Sequence, residues 1–525
     1  MRLQQFSDRN LRQLSPLVRA YCDGSATIRD FYGTRPTAEE IANLAIGRDF
    51  TPEAYAALHH GISEQYAGLA VHEAVSDNLK AIANQNAACV TTGHQLCILG
   101  GPAFVIYKIL STIQLAKSIE KLVPGKKIVP VFWLASEDHD RDEINHVFVQ
   151  HNRIDWDTKQ TGAVGRFSTA GLQDVLREYS DIAKDETSQK HIEFFREIVS
   201  QHHTLAAATR AWVNACFGEW GVIVVDSDDV RFKRLFIPTM RKELVEQSTY
   251  SSVMETNSRL KQLGYEPQVN PRQLNLFYLQ KESRVRIECT DGIWHTTDRS
   301  KEWIHKSLLA ELDEHPENFS PNVLMRPLYQ KTILPNVAYV GGPGELAYWL
   351  QLKDVFSQFE LPMPAIVLRD AAICVSEACT RRLSKLGLTP ADLLQSKSEI
   401  IDRLLANAKQ DFSEEKMRIQ VVFEQLAERM SAIDPTLKAA ALAELHRALS
   451  GVEQLQAKAW KAVKMKEEQK LSAINRIWEE IFPEGEWQER RENLLGLAMA
   501  NDKELIRALL SAFSAPASAL VIAEL

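Results

Sequence analysis

The stretch AACVTTGHQLCILGGPAFVIYKILSTIQLAKSIEKLVPGKKIVPVFWLASEDHD, residues 87–140, decides the fold. Residues 87–92 are a short apolar run of strand length, and 93–101 is a loop with glycine near both ends. Pro102 sits at a helix start, where its missing N–H costs nothing. Apolar residues then recur at helical spacing to about Val123, and Pro124-Gly125 stops the run. Residues 128–135 read as a second buried strand that ends in Ser136-Glu137-Asp138-His139-Asp140. Strand, helix and strand make a βαβ unit, so the two strands are expected to be parallel with a right-handed crossover.

The same grammar recurs downstream. Residues 221–225 end in Asp226-Ser227-Asp228-Asp229 and feed a helix from about Val230. Residues 336–340 end in Gly341-Gly342-Pro343-Gly344-Glu345 and feed another, and 365–368 end in Arg369-Asp370. Residues 274–280 and 283–290, with the Asp291-Gly292 turn, read as an inserted antiparallel hairpin. An open parallel sheet binds ligands at the carboxyl ends of its strands, and the polar or glycine-rich strand ends all converge there. Residues 1–85 read mainly as helices, with Pro36 and Pro52 each opening one after a threonine.

From about Lys397 the pattern changes. Ile401, Leu405, Ala408, Phe412, Glu415, Ile419, Val422 and Leu426 follow alternating four- and three-residue spacing. Asp434-Pro435 interrupts, and Leu442, Leu445, Leu449, Val452, Ala459 and Val463 resume it. That is the pattern of an antiparallel coiled-coil arm, with an ordinary helical subdomain as the alternative. The expected organisation is α/β: a Rossmann-like parallel-sheet core with inserted connecting segments over 1–396, the insert near 265–300. A helical arm over 397–482 and C-terminal helices over 483–525, packed on the body, complete it.

Composition narrows the function classes. The chain has 525 residues, 45% apolar and 25% charged, which are globular values. A net charge of −8 argues against a nucleic-acid or membrane-surface partner, which would need a basic excess. The cysteines (Cys22, Cys89, Cys97, Cys216, Cys289, Cys374, Cys379) are scattered and match neither a disulfide framework nor paired zinc knuckles. With no membrane-length apolar run and no signal-like start, the expected location is the cytoplasm.

Three strand ends carry candidate chemistry. Gly93, His94, Gln95 and Gly101 belong to a loop whose glycines allow close backbone approach, ahead of a helix N-terminus that favours an anion. A tight strand-to-helix turn would want the same glycines. Glu137, Asp138, His139 and Asp140 form an acidic cluster that repels itself unless an amine, a metal or a neighbouring arginine answers it. Gly342, Gly344 and Glu345 repeat the first loop's physics, with Tyr348 one turn on. Glu345 either complements the helix dipole or receives ribose hydroxyls or an amine. Arg326 pairs with a phosphate, a carboxylate or a structural acid. Cys97 reads as a small buried apolar residue, and no metal site is expected.

The blocks TTGHQLCILGGPAFVIYKI (91–109), VPVFWLASEDHDRDEIN (129–145), NFSPNVLMRPLYQ (318–330) and LPNVAYVGGPGELAYW (334–349) together resemble the BshC family, the cysteine-adding enzymes of bacillithiol biosynthesis. The resemblance implies a core related to class I aminoacyl-tRNA synthetases, a coiled-coil arm that makes a homodimer, and small-molecule substrates. The implied reaction joins L-cysteine to the amine of glucosaminyl-malate, with ATP or another nucleotide as co-substrate. Gly93-His94-Gln95 stands where such synthetases hold nucleotide phosphates. On that reading Asp138 recognises the amine, His139 is the general base, and Glu137 and Asp140 orient or balance charge. Two other functions remain open: a nucleotidyltransferase sharing the fold, and a non-catalytic binding protein built around the arm.

Overall fold

Val-, Ile- and Ala-rich strands buried on both faces need cover from both sides, and the chain provides it. Strands Ala87–His94, Lys127–Leu134, Ile223–Asp226, Asn336–Gly341 and Ala365–Leu368 pair in parallel. Across the sheet they lie in the order fifth, fourth, first, second, third. The chain winds outward from its first strand, then returns and winds outward on the other side. The order reverses between the first and fourth strands, where a ligand crevice is expected. Helix Phe104–Glu120 covers one face: Leu115, Ala116 and Ile119 cluster with Val90, Ile128, Val340 and Val367, and with Ile41, Ala42 and Ala45 of helix Ala38–Ile46. This computed structural model describes residues 1–7, 14–47, 50–406, 411–515 and 519–525.

Local details depart from the sequence reading for identifiable reasons. Gly93 and His94 stay in the first strand, paired with Trp133 and Leu134, so the loop begins only at Gln95. The helix starts at Phe104, two residues past Pro102. Pro52 opens helix Pro52–Gln65 behind the Thr51 cap, but Pro36 opens none, because the cap of helix Ala38–Ile46 is Thr37, the residue after it. The chain begins with strand Arg2–Ser7, which joins Ala519–Glu524 and Ala371–Val375 in a three-stranded sheet. Such distant pairing leaves no local signal.

The inserted hairpin is larger than expected. Strands Leu276–Leu279, Arg284–Thr290, Ile293–Thr296, Glu302–Trp303 and Phe319–Pro321 form one antiparallel sheet. Lys233 of helix Val230–Glu246 ties this sheet to the core. Fully buried, it donates to the Glu137 carboxylate and, at 2.5 Å, to the Phe319 carbonyl. The turn after the second core strand is held from another side. Val164 N–H donates to the Asp138 carbonyl at 2.7 Å and Gly165 N–H to that of Ser136 at 2.8 Å. A Cβ on Gly165 would lie 2.4 Å from Ser136 Cβ, so only glycine allows this approach.

The chain divides into two compact units: Met1–Ile373 with Glu486–Ala523, and Cys374–Gly485 with Glu524–Leu525. The second unit begins upstream of residue 397, because helix Glu377–Lys385 packs on helix Glu468–Ile481. Helices Ser413–Ser431 and Leu437–Lys466 form its long hairpin. Lys416 pairs with Glu453 at 3.8 Å and Glu428 with Lys438 at 2.6 Å, so residue numbers rise on one helix as they fall on the other. The helices are antiparallel, as the heptads predict; Ala408 lies outside the described residues. The segment after Gly485 contributes helix Leu495–Ala512 and strand Ala519–Glu524, where helices alone were expected. Among the described residues no helix is long and apolar enough to cross a membrane.

Candidate active site

The crevice predicted by strand order opens into a cavity of about 680 Å³, within the usual range for small-molecule sites. Of the residues picked from the sequence, it brings together Gly93, His94, Gln95, Glu137, Asp138, Arg326, Gly342, Gly344, Glu345 and Tyr348. It leaves out three. His139 and Asp140 line an adjoining cleft of about 550 Å³, which shares Asp138 and Arg284 with the cavity. Gly101 is turned away: its carbonyl accepts from Asn493, and a Cβ there would lie 2.7 Å from Cys97 Cβ. Its φ of +66° and that close approach explain the glycine. At Gly100 a Cβ would meet Leu495 Cδ2 at 2.7 Å. The paired glycines therefore serve chain packing rather than ligand approach.

At the first and fourth strand ends sits an ion pair between a buried lysine and a partly buried glutamate. Lys108, on a helix buried nearly all round, has a side chain only 2% exposed. It donates to Glu345 at 2.7 Å and to the Gly93 carbonyl. Glu345 also accepts from Gly342 N–H at 2.9 Å and from the Tyr339 hydroxyl at 2.5 Å. Burial works against its charge, but the Lys108 ammonium and these hydrogen bonds hold its carboxyl down at about 2. Burial likewise pushes the Lys108 ammonium below its ordinary value, against the pull of Glu345. Arg326 lies over the Tyr339 ring, 5.3 Å from its centroid, and donates to the Tyr348 hydroxyl at 2.8 Å. Glu345 is thus a fully engaged cap.

The acidic cluster separates into distinct roles. Glu137 is buried, which raises its pKa, and Lys233 answers it. Asp138 is a third exposed and opens to the cavity. Gln95 donates to its Oδ2 at 2.5 Å and His139 N–H to its Oδ1 at 2.7 Å, with Arg284 Nη1 at 3.5 Å. Burial opposes its charge, yet the His139 side chain, the Arg284 guanidinium and these donors carry it well below the usual carboxylate range. Asp140 accepts from Glu143 N–H at 3.2 Å and so caps the short helix Arg141–Ile144. Its carboxylate is spent on the backbone.

His94 packs edge-on against Phe104, ring centroids 4.8 Å apart, and its Nε2 lies 3.7 Å from Cys97 Sγ. Burial, with the charges of Lys108 and Arg369, pushes the imidazole down to about 3. An imidazole held so low carries no positive charge at neutral pH with which to complement a phosphate. Burial also pushes the Cys97 thiol up to about 12, so it is an apolar filler and not a nucleophile.

Sequence reasoning missed several cavity residues. Lys108 had a visible signal, as the lone cation in an otherwise apolar stretch of helix. Arg284 arrives from the inserted sheet, donating to Pro321 O at 2.8 Å and to His139 Nδ1 at 3.1 Å. Arg369 makes a two-pronged pair with Glu489 at 2.8 and 2.7 Å, bridging 120 residues of chain. Nothing local announces either. Among the described residues no group of three or more His, Cys, Asp or Glu is placed to hold a metal ion.

Removing one partner of a buried pair strands the other charge, at a cost of about 3–5 kcal/mol. Glu345→Gln is expected to lower stability at neutral pH by about that amount, read by chemical denaturation. A carboxyl held down to about 2 stabilises the fold above its ordinary value of 4.5, and that benefit fades as pH falls toward 2. The gap between wild type and variant should therefore be full at pH 6–7 and narrow steadily below pH 4.5.

Comparison with known proteins agrees with this geometry. Residues 1–370 match the family described as bacillithiol biosynthesis BshC, N-terminal Rossmann-like domain. Residues 372–525 match its C-terminal coiled-coil domain. Curated relatives named "Putative cysteine ligase BshC" include one from Cytophaga hutchinsonii, 35% identical over 501 residues, covering 95% of this chain and 94% of its own. One from Flavobacterium johnsoniae is 33% identical over 504 residues, covering 94% of each chain. One from Bacillus anthracis is 31% identical over 440 residues, covering 80% of this chain and 82% of its own. With both domains matched end to end around a cavity at the sheet's reversal point, the chain belongs to the bacillithiol biosynthesis BshC family.

Proposed function

We propose that the cavity joins the carboxyl group of L-cysteine to the amine of glucosaminyl-malate, forming the amide that completes bacillithiol. The relatives' names support the reaction class, and Asp138 carries the local argument. It is a carboxylate held ionised by its neighbours and open to the cavity at a strand end. Such a group orients an ammonium without taking its proton.

A free carboxylate is a poor acyl donor, so cysteine must first be activated, as an adenylate or acyl phosphate, with ATP or another nucleotide as co-substrate. The amine then attacks the acyl carbon, the new C–N bond replaces the acyl–oxygen bond, and the phosphate group leaves with the electron pair. Before that attack the ammonium must shed a proton. His139 stands beside Asp138, its Nδ1 3.4 Å from Oδ1. A guanidinium only donates, so Nδ1 presents its lone pair to Arg284. Taking a proton there gives up the Arg284 bond, and the Asp138 carboxylate is the acceptor at hand for the new N–H.

Purified protein given glucosaminyl-malate, L-cysteine and each nucleotide in turn should form bacillithiol, read by mass spectrometry, only when all three are present. Nucleotide turnover without cysteine would favour a nucleotidyltransferase, and no chemistry at all a binding protein. In the same assay His139→Ala should lose about 10²–10⁴ in turnover and regain part of it as pH rises and free amine accumulates. Unchanged turnover across the pH range would assign the proton to water instead.

The second unit supports a further partner: another copy of this chain. On helix Ser413–Ser431, Met417 is 67% exposed and Val421 and Val422 about half exposed. Of the expected seam, Leu445 is buried while Leu426 and Leu442 remain about 40% exposed. Apolar groups in such a row want cover, and a twofold dimer is the commonest way to give it. Met417→Lys with Val421→Lys, one turn apart on that helix, should convert a dimer into a monomer by light scattering with helicity unchanged. A dimeric mass in that variant would place the interface elsewhere.

A further inference from the structure

The arginines that line the cavity fall into two groups. Arg284, Arg326 and Arg369 are engaged: by Asp138, Ser320 and Pro321; by Tyr348; and by Glu489. Arg272, Arg286 and Arg490 are exposed, and among the described residues none of their guanidinium groups has a hydrogen-bond or ion-pair partner. Of the acids that line the cavity, Glu137, Asp138 and Glu345 are already answered by Lys233, by Arg284 and Gln95, and by Lys108, and Glu143 alone is exposed without an ion-pair partner among the described residues.

What separates these three from ordinary surface arginines is the backbone beneath them. Arg272 is fixed by Asn275, which accepts from its N–H at 3.4 Å and donates to its carbonyl at 2.9 Å. Arg286 sits in the inserted sheet directly opposite Phe277, and its carbonyl accepts from Thr297 at 2.9 Å. Arg490 lies in a run in which every neighbour is tied down. Glu489 pairs with Arg369, and Arg491 stacks 4.1 Å from the Phe148 ring centroid. Glu492 accepts from His151 and from Ala103 N–H, and Asn493 donates to Leu99 and Gly101. The Arg286 guanidinium also lies 5.9 Å from the Phe277 ring centroid, a contact that leaves its N–H donors free. Held backbone under a guanidinium without an ion-pair partner is the arrangement a preorganised anion contact requires.

We propose that Arg272, Arg286 and Arg490 are the anion grip of the cavity, taking the carboxylate or phosphate oxygens of a bound substrate. The inference rests on the reading that the cavity accepts an acidic substrate. It names which cations do so, and transfers to them the role expected of the 93–101 loop.

The test uses the full chain and two probes, L-malate for carboxylates and inorganic pyrophosphate for phosphates. Binding is measured by calorimetry to wild type, Arg272→Gln, Arg286→Gln, Arg490→Gln and the Arg286→Gln/Arg490→Gln pair. Each loss of a charge-assisted contact should weaken a probe about tenfold or more, with the melting temperature nearly unchanged because no internal hydrogen bond or ion pair is broken. Weaker malate binding alone assigns the grip to carboxylates, weaker pyrophosphate binding alone to phosphates, and either supports it. Wild-type affinity for both probes in every variant, or no affinity for either in the wild type, overturns it. Probe binding is read without turnover. A wild type that binds malate but forms no amide would count against the cysteine-joining reaction while leaving the grip standing.

Discussion

The Lys108 ammonium sits where almost no water reaches it, and a charge so placed must find its partners in the protein. It finds Glu345 and the Gly93 carbonyl, and in doing so it joins three elements. Gly93 ends the first strand, Lys108 belongs to the helix that follows it, and Glu345 caps the helix after the fourth strand. The sheet's order reverses between those strands, and a reversal tends to splay neighbouring chain ends apart. The ion pair closes that gap and sets the floor of the cavity. The pinning of Glu345 by Lys108, Tyr339 and Gly342 explains why this acid is part of the frame, whereas Asp138 stays open to the cavity.

Physical signals of different range account for what the sequence disclosed. The parallel core was legible because each strand is a continuous apolar run closed by glycine, proline or acids, and the runs at 87, 128, 221, 336 and 365 all became strands of one sheet. The convergence of Gly93, Asp138 and Glu345 followed from topology alone. Individual roles were not legible in the same way. Glu137 and Asp138 are adjacent and chemically alike, yet one meets a fully buried lysine 96 residues away and the other an arginine 146 residues away. His94 stands in a loop whose physics favours an anion, yet burial and the charges of Lys108 and Arg369 leave its imidazole uncharged. Glycines at 100 and 101 looked like a ligand cradle, and their requirement comes from Leu495 and Cys97 instead.

The inserted sheet and the returning C-terminal segment face the same cavity and contribute in different ways. The sheet supplies Arg284 as a brace under Asp138 and His139, with its guanidinium 4.0 Å from the Phe277 ring centroid. The C-terminal segment supplies closure. Asn493 bonds the carbonyls of Leu99 and Gly101, and Ala519 N–H donates to Asp370, which also accepts from Ser111. Strand ends alone would make an open edge. These two additions turn it into a walled site in which charges are fixed before any substrate arrives.

The first compact unit is discontinuous: the chain leaves it after Ile373, builds the whole helical unit, and re-enters at Glu486. This has a consequence for synthesis. As the chain grows from its N-terminus, all five core strands precede the segment that carries Glu489, so the Arg369–Glu489 pair must wait for it, and Asn493 must close on Leu99 across 394 residues. Contacts of such separation form late, after long loops have been closed. A nascent chain at residue 400 therefore carries the sequence of all five core strands but lacks Arg490 of the cavity lining and the Glu489 partner of Arg369. The cavity lining is thus completed only after the helical unit has been made.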